Sequence, residues 1–408
     1  MRVRAALVSG AILFACGGSS HTGGITGAAP PQATTQPAAP SAAAGSTSTP
    51  PSNPPAPPPA PPAPPSQAWA GTQLFGTPWT ELDGVATLPG GRLLVFGNQF
   101  ITTNGYGTRH GTLAWSDATG KMERVLAVPG ADEIFAMAVS SSGAIALAGY
   151  TQGTGGYLLL LDKDGVQKWL SSMGPTVALY GVTFAPNGDL VACGSDPDSF
   201  IGRWSSDGAM LWLKTYGANA DGFGFGIALM PSGDIAAAGG RNPVVTVRTA
   251  PDGTARWTRT LAAGSTSSGQ GAIATDATGA VLLAGRDGND AFVTKLDTIG
   301  VTAWTRTIAT SGVDTANGIA VASGGDVVVV GSYGLGSGGA GTGYVARYDT
   351  TGERLWMTDV DWPGIEVLNG VALDAAGNAY VAGSLPSDAS GFHTQGFLGK
   401  VDRAGALQ

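Results

Sequence analysis

The chain is poor in cysteine and in charge. It has 2 cysteines among 408 residues, which excludes a disulfide framework and leaves no cysteine metal site to be drawn. Charged residues make up 12% of the chain, with Lys+Arg 21 against Asp+Glu 29 and a net charge of -8. An acidic balance without a basic stripe argues against nucleic acid and against anionic membrane surfaces as partners.

Long apolar runs are also scarce. The stretch from Ala5 to Phe14 is too short to span a bilayer, and it follows the basic segment Met1-Arg-Val-Arg4, as in a secretory signal peptide. The next residues, Leu13-Phe14-Ala15-Cys16, resemble a bacterial lipobox, which implies cleavage before Cys16 and lipidation of its thiol. Phe14 departs from the usual residue at its position, so ordinary secretion with cleavage elsewhere remains the alternative.

Residues 17–67 are dominated by Ala, Pro, Ser, Thr and Gly and end in a proline block at 54–65. Such a composition cannot bury a core and predicts a disordered tether, whose proline block favours a semi-rigid polyproline II rod. We therefore expect three parts: a lipoprotein-type signal peptide at 1–16, the tether at 17–67 and a folded domain at 68–408. The membrane is expected to be contacted only through the lipid anchor.

Glycine is abundant, with 65 residues, and much of it belongs to a repeat. An apolar run that closes on glycine recurs at intervals of 45 to 52 residues, at Gly97, Gly149, Gly194, Gly239, Gly285, Gly331 and Gly383. An Asp-x-x-Gly turn follows most of these runs, and a tryptophan usually comes next. Repeats of this length, with short apolar strands between turns, predict one four-stranded blade each. The fold class is therefore all-β, a seven-bladed β-propeller.

The two ends of the repeat array complement each other. The seventh copy stops at Gln408, just before its tryptophan is due, whereas Trp69 precedes the first copy and matches a tryptophan-led outer strand. We expect the Trp69 strand to complete the last blade and so close the ring, which removes exposed strand edges.

The tryptophan position is occupied in order by Trp69, Arg124, Trp169, Trp212, Trp257, Trp304 and Trp356. An indole buries roughly 150 to 250 Å², so we expect packing between blades, with ligand stacking as the alternative. Cys193 lies in an apolar run where sister blades place Ala or Val, and it is expected to be a small buried core residue.

The segment from Gly370 to Gly383, Gly-Val-Ala-Leu-Asp-Ala-Ala-Gly-Asn-Ala-Tyr-Val-Ala-Gly, resembles the bacterial seven-bladed β-propeller repeat family. This resemblance implies an extracytoplasmic location, here the cell envelope as an outer-membrane lipoprotein or else secretion, and it implies no chemistry. Tyr348 to Trp356 also resembles the repeat of pyrroloquinoline-quinone dehydrogenases, which usually have eight blades. Since many of those enzymes use adjacent cysteines that this chain lacks, we predict no cofactor and no metal.

One sector is expected to carry long loops between second and third strands, in blades six, seven, one and two (332–342, 384–395, 98–110 and 150–155). That sector collects His110 and His393 on the loops, with carboxylates on the inter-blade connections at Glu81, Asp83, Asp132, Glu133, Asp359, Asp361 and Glu366. Paired carboxylates with a histidine suit acid/base chemistry or Ca²⁺ binding, and solvated loop charge is the alternative.

The residue just before each inner strand is expected near the mouth of the central channel. These residues are Asp83, Phe135, Tyr180, Phe225, Gln270, Asn317 and Asn369. Aromatic rings facing amides and a carboxylate are an arrangement suited to a sugar ring. The alternative is that Phe135 and Phe225 fill the channel.

The function expected from these features is that of a monomeric envelope lipoprotein whose propeller is a non-enzymatic binding module for a protein or a polysaccharide. Three alternatives remain: an extracellular polysaccharide hydrolase or lyase that uses the loop carboxylates, a purely structural envelope role, and a quinoprotein.

Overall fold

The computed structural model describes residues 73–75, 80–103, 106–196, 198–216, 224–239, 244–261, 273–335, 341–360, 367–386 and 394–408. The chain divides into Met1–Pro62 and Ala63–Gln408, and all of these residues belong to the second unit. They form β-strands and a short 3-10 turn at Pro89–Gly91, and none of them belongs to a helix long and apolar enough to cross a membrane. The predicted residues Cys16, Trp69, Gln270, Asp361 and His393 lie outside the described ranges.

The described strands form seven antiparallel four-stranded sheets, so the fold is the predicted seven-bladed β-propeller. Blades one to three consist of β2 (Thr80–Thr87), β3 (Leu93–Thr103), β4 (Tyr106–Ser116), β5 (Met122–Ala127), β6 (Glu133–Val139), β7 (Ile145–Thr151), β8 (Gly155–Leu161), β9 (Gln167–Ser172), β10 (Ala178–Phe184), β11 (Leu190–Asp196), β12 (Asp198–Trp204) and β13 (Met210–Thr215).

The other four blades follow the same order. They consist of β14 (Gly224–Leu229), β15 (Ile235–Gly239), β16 (Val245–Thr249), β17 (Ala255–Thr260), β18 (Ile273–Thr275), β19 (Val281–Asp287), β20 (Asp290–Leu296), β21 (Thr302–Ile308), β22 (Val313–Val321), β23 (Val327–Leu335), β24 (Thr342–Tyr348), β25 (Arg354–Val360), β26 (Val367–Leu373), β27 (Ala379–Pro386), β28 (Thr394–Val401) and β1 (Gln73–Phe75).

The second strand of each blade forms the centre of the core. In blade six, Val327 to Val330 are fully buried, and in blade two Ile145 to Ala148 are as well. An unbroken apolar run fits a strand that is covered on both sheet faces, because neighbouring blades pack against each side. The apolar clusters accordingly join residues of adjacent blades rather than residues of one blade.

The ring closes through the N-terminal strand, as predicted. β1 pairs antiparallel with β28, with Leu74 opposite Phe397, and it forms the outer edge of blade seven. On the inner side, a Cβ added at Gly370 of blade seven would lie 2.6 Å from the Cα of Gly84 in blade one. Blades seven and one are therefore in close contact at the centre of the ring.

The tryptophans pack between blades, which confirms the packing interpretation. The Trp304 indole lies against Gly352 of the next blade, where an added Cβ would come within 2.6 Å of the ring, and its Nε1 donates to the carbonyl of Thr350 at 3.2 Å. The same glycine-on-indole contact recurs in the pairs Trp169 and Gly208, Trp212 and Gly253, Trp257 and Gly300, and Trp356 and Gly405.

Blade one replaces its tryptophan with two side chains. The guanidinium of Arg124 lies 4.9 Å from the centroid of the Trp115 ring, and its Nη1 donates to the Asp164 carbonyl of blade two at 2.6 Å. Trp115 supplies the ring against Gly165, where an added Cβ would lie 3.0 Å away. Together the two residues provide the hydrogen bond and the aromatic surface that a single indole provides elsewhere.

Two of the predicted long loops are wrong. In blade one, residues 98–103 and 106–110 extend β3 and β4, whose pairing reaches Thr103 and Tyr106, because the sequence Phe100 to Thr103 is aromatic and β-branched. In blade two, Thr151 pairs with Gly155 across a short turn. The corresponding loops of blades six and seven include residues outside the described ranges.

Candidate functional site

The residues expected at the channel mouth are bulges inside the inner strands. The pairing with the second strand skips one residue in each described case: Asp83, Phe135, Tyr180, Phe225, Asn317 and Asn369. Their placement before the strands was therefore wrong by a few residues. A bulge lets a strand continue while it re-aims one side chain, which makes this position distinct from the rest of the strand.

Two of these bulge residues hold the ring together. The Nδ2 of Asn317 in blade six donates to the Leu368 carbonyl of blade seven at 3.0 Å, and the Nδ2 of Asn369 in blade seven donates to the Leu82 carbonyl of blade one at 3.0 Å. Each bond joins a bulge to the residue just before the next bulge. These amides therefore have a structural role that sequence reasoning assigned to ligand contact.

Blade one makes the equivalent bond with a different residue. Asn98 from the neighbouring strand makes this bond in place of Asp83, donating to the Ile134 carbonyl at 3.2 Å and accepting from the Ile134 amide at 2.9 Å. The remaining Nδ2 proton goes to Asp83 Oδ2 at 2.8 Å. Asp83 is thereby held at the bulge without serving as the link between blades.

The surroundings of Asp83 raise its pKa to about 8. Burial is the largest cause and the negative charge of Glu81 comes next, with a smaller contribution from Glu133, whereas Arg109 and the hydrogen bond from Asn98 act in the opposite direction. Arg109 is itself paired with Glu133 at 2.8 Å. At neutral pH the Asp83 carboxyl is therefore mostly protonated and can donate a hydrogen bond.

Aromatic bulge residues occupy the next two blades. The rings of Phe135 and Tyr180 are stacked, with centroids 5.3 Å apart and planes inclined by 26°. Both residues are half-buried, so part of the stacked surface remains accessible. Phe225 is the bulge residue of β14, and its side chain lies outside the described part of the structure. Asp83 and the aromatic pair thus occupy bulges of three consecutive blades.

The other predicted residues are dispersed or engaged elsewhere. His110 lies on strand β4, not on a loop, and its Nε2 is 3.0 Å from the hydroxyl of Thr108. Asp132 accepts from the Gln152 amide at 2.7 Å, and the buried Asp314, which was not among the predicted residues, accepts from Thr310 and Gly334. These carboxylates order connections between elements and do not converge with His110.

The two faces of the ring differ in charge. We call upper the face on which the inner strands begin and the second strands end. Its described charged residues are Glu81, Asp83, Arg109, Asp132, Glu133, Asp196, Asp198, Arg286, Asp287, Asp290, Asp314 and Asp359. On the opposite face, several aspartates are paired with cations, as in Arg203 with Asp189 and Arg347 with Asp326. The upper face is therefore the acidic one.

Sequence reasoning missed Asn98, which determines the environment of Asp83. The available signal is that Asn98 directly follows the glycine closing the apolar run, where sister blades have Tyr150, Ser195 and Arg286. Among the blades in which both the residue after this glycine and the bulge residue are described, only blade one combines an amide at the first with a carboxylate at the second.

No protein-family model and no curated protein matches the chain. Among solved structures, the Dos1 propeller aligns with a TM-score of 0.53 and 12% identity over 81% of this chain and 94% of its own. A Bacteroides caccae protein of unknown function aligns with a TM-score of 0.46 and 14% identity over 64% of this chain and 92% of its own. The likeness to the Dos1 propeller supports the fold and carries nothing about activity.

Proposed function

We propose that this chain is a non-enzymatic binding module, displayed at the cell envelope, that takes a protein or a polysaccharide on the upper face of its propeller. The observation that carries the proposal is the contrast among the bulges. Asn317 and Asn369 are consumed in joining blades, whereas Asp83, Phe135 and Tyr180 present a hydrogen-bonding carboxyl and a stacked aromatic surface at the same level of the ring.

The chemistry of this face favours a neutral or cationic partner. A half-exposed aromatic pair buries apolar surface, and a protonated carboxyl donates a hydrogen bond to a hydroxyl or carbonyl oxygen. Glu81 and Glu133 leave net negative charge around Asp83, with Arg109 already paired to Glu133. A polyanionic chain would be repelled here, which makes a neutral glycan or a basic protein surface the preferred partner.

The envelope location rests on the N-terminal residues. The basic start, the short apolar stretch and the lipobox-like residues before Cys16 support export followed by lipidation, and the absence of Asp after Cys16 supports sorting to the outer membrane. Cys16→Ser should abolish lipid attachment and move the chain from the membrane fraction to the soluble fraction. Retention of the Cys16→Ser chain in membranes would count against the anchor.

Ligand screening tests the binding role. A ligand of the native state raises the melting temperature of the full chain by mass action, so neutral and anionic polysaccharide fragments and basic peptides can be compared directly. We expect stabilisation by a neutral or cationic member that is lost in Tyr180→Ala and kept in His110→Ala. Stabilisation by polyanions alone, or a response unchanged in Tyr180→Ala, would contradict the proposal.

One observation favours the hydrolase or lyase as a second candidate. A carboxyl with its pKa near 8, beside the carboxylates Glu81 and Glu133, has the properties of a general acid. Turnover separates the two roles. A binding module has no turnover and should simply keep its ligand in Asp83→Asn. An enzyme should also keep its ligand in that variant but lose the turnover of the unmodified chain. Absence of any turnover by the unmodified chain on a ligand that it binds would remove this candidate.

A further inference from the structure

A cleft of about 320 Å³ opens between blades four and five, away from the bulges. It is lined chiefly by blade five, with Phe292 and Thr294 on β20, Thr305 and Thr307 on β21, and Asp287 and Asp290 at the hairpin between β19 and β20. Its volume lies at the lower end of ligand pockets, which span about 300–1,000 Å³.

Blade five differs from its sister blades in placing threonine on both paired strands at one wall of the cleft. Thr294 lies opposite Thr305, and their hydroxyls are 3.0 Å apart. At the same register four other blades place Leu159 with Leu170, Gly202 with Leu213, Ala346 with Met357, and Ala114 with Val125, and blade four shares only the outer-strand threonine, Thr258, which lies opposite Val247. Replacing a leucine or methionine by threonine on the outer strand removes volume and adds a hydroxyl at one wall.

The walls combine three kinds of surface. Phe292 provides an apolar ring that is 6% exposed, and it lies opposite Thr307. The hydroxyls of Thr305 and Thr307 are on the outer strand, where both residues are exposed. Because so little of Phe292 is exposed, it offers a sugar an apolar contact at the base of the cleft, and the hydroxyls of Thr305 and Thr307 along one side can hydrogen-bond the hydroxyl groups of a sugar ring.

The end of the cleft carries two carboxylates without a cation. Asp287 and Asp290 are directly opposite each other across the β19–β20 hairpin, an arrangement of like charges that costs stability. Neither carboxylate has an ion-pair partner within the described ranges, whereas four aspartates of the opposite face, Asp189, Asp234, Asp276 and Asp326, do. A cation placed between these two groups would remove the repulsion.

We propose that this cleft binds one sugar residue that bears a free, protonated amine. The ammonium group pairs with Asp287 and Asp290, the ring packs on Phe292, and the remaining hydroxyls bond to Thr305 and Thr307. The site uses no residue of the channel mouth, so it is a second ligand site of the same propeller and does not depend on what the upper face binds at Asp83.

Titration of the full chain with glucosamine, glucose and N-acetylglucosamine, followed by ligand-observed NMR, tests the assignment. Loss of two charge-assisted contacts corresponds to roughly tenfold or more in affinity, so glucosamine should bind at least that much more tightly than either neutral sugar. In Asp287→Asn with Asp290→Asn this preference should disappear while weak binding of glucose persists. Equal affinity for all three sugars in the unmodified chain would overturn the proposal.

Filling the cleft provides an independent test. Thr305→Leu introduces the residue that β9 and β13 carry at this register and should abolish binding of glucosamine. Thr258→Leu makes the same change on the outer strand of blade four, outside the cleft, and should leave the affinity unchanged. Tyr180→Ala should also have no effect. Binding of glucosamine that survives Thr305→Leu, or that is lost in Tyr180→Ala, would place the sugar elsewhere and refute the site.

Discussion

Asn98 donates one amide proton to Asp83 at 2.8 Å and the other to the Ile134 carbonyl of the next blade. The same side chain therefore joins blades one and two and holds the carboxyl at the channel mouth. Both amide protons of Asn98 are used in these bonds, so Asp83 is held in place through its Oδ2.

The raised pKa of Asp83 predicts a pH-dependent stability. Between the ordinary pKa of 3.8 and the folded value of about 8, the folded state binds more protons than the unfolded state, so this residue lowers stability progressively as pH rises through that range. Asp83→Asn should remove the effect. Its melting temperature, compared with that of the unmodified chain, should be higher at about pH 9 and similar at about pH 4.

Asp132→Asn is the matched control, since that carboxylate lies on the same face and accepts a backbone bond from Gln152. It should not reproduce the gain at high pH. The difference in melting temperature between Asp83→Asn and the unmodified chain could instead be the same at low and at high pH. That result would show that burial does not disfavour the charged form of Asp83.

Breaking the bond between blades seven and one should destabilise the ring. Asn369→Ala removes the Nδ2 group that donates to the Leu82 carbonyl. The loss of this bond should lower the free energy of unfolding by about 1–3 kcal/mol. Urea unfolding measures the loss. Asn289→Ala, at an exposed turn, is the control and should change stability by less than about 0.5 kcal/mol.

The glycine against each indole should be intolerant of a side chain. Gly352→Ala places a Cβ within 2.6 Å of Trp304 at a residue with φ of 82°, so it combines backbone strain with a clash. Gly279→Ala has a φ of 83° but meets only Thr298, at 4.0 Å. Thermal unfolding should show a cost of about 1–2 kcal/mol for Gly279→Ala, from strain alone, and a clearly larger one for Gly352→Ala. Equal losses in the two variants would mean that the ring can move aside.

Cys193 should react only when the domain opens. It is 1% exposed, and burial raises the pKa of its thiol to about 12, so neither access nor thiolate is available in the folded state. In a Cys16→Ser chain, alkylation should proceed at the rate of unfolding and accelerate with urea. Rapid modification without denaturant would indicate local opening between blades three and four.

The fold could be predicted because the same sequence pattern recurs along the chain at the spacing of one propeller blade. The apolar run before Gly331, the turn glycine Gly352 and the indole of Trp356 each recur at fixed intervals, and ring closure follows from the strand missing at one end and present at the other. Blade one is harder to predict, because pairs of residues share roles that single residues have in other blades. Arg124 and Trp115 together replace the tryptophan that packs on the next blade. At the bulge, Asp83 occupies the position and Asn98 makes the bond to the next blade.

The candidate site could be predicted only in part. The bulge residues were recognisable from their place before Gly84 or Gly370, but a sequence does not show whether an amide is consumed in joining blades, as it is in Asn317. The segment 98–110 was predicted as a loop, whereas its aromatic and β-branched residues pair with the neighbouring strand and extend the hairpin. The cleft of blade five required knowledge of which residues face each other.

Closure by β1 also sets an order of events for the chain. Gln73 pairs with Leu398, so β1, which precedes all the other described strands, has no partner until nearly all of the domain has been synthesised or exported. Contacts so distant in sequence form slowly. During that interval blade seven lacks its outer edge, and an incomplete molecule exposes β28 to any other strand, including β1 of a neighbouring copy. The pairing of β1 with β28 that completes the ring is thus also the point at which two nascent copies can exchange strands.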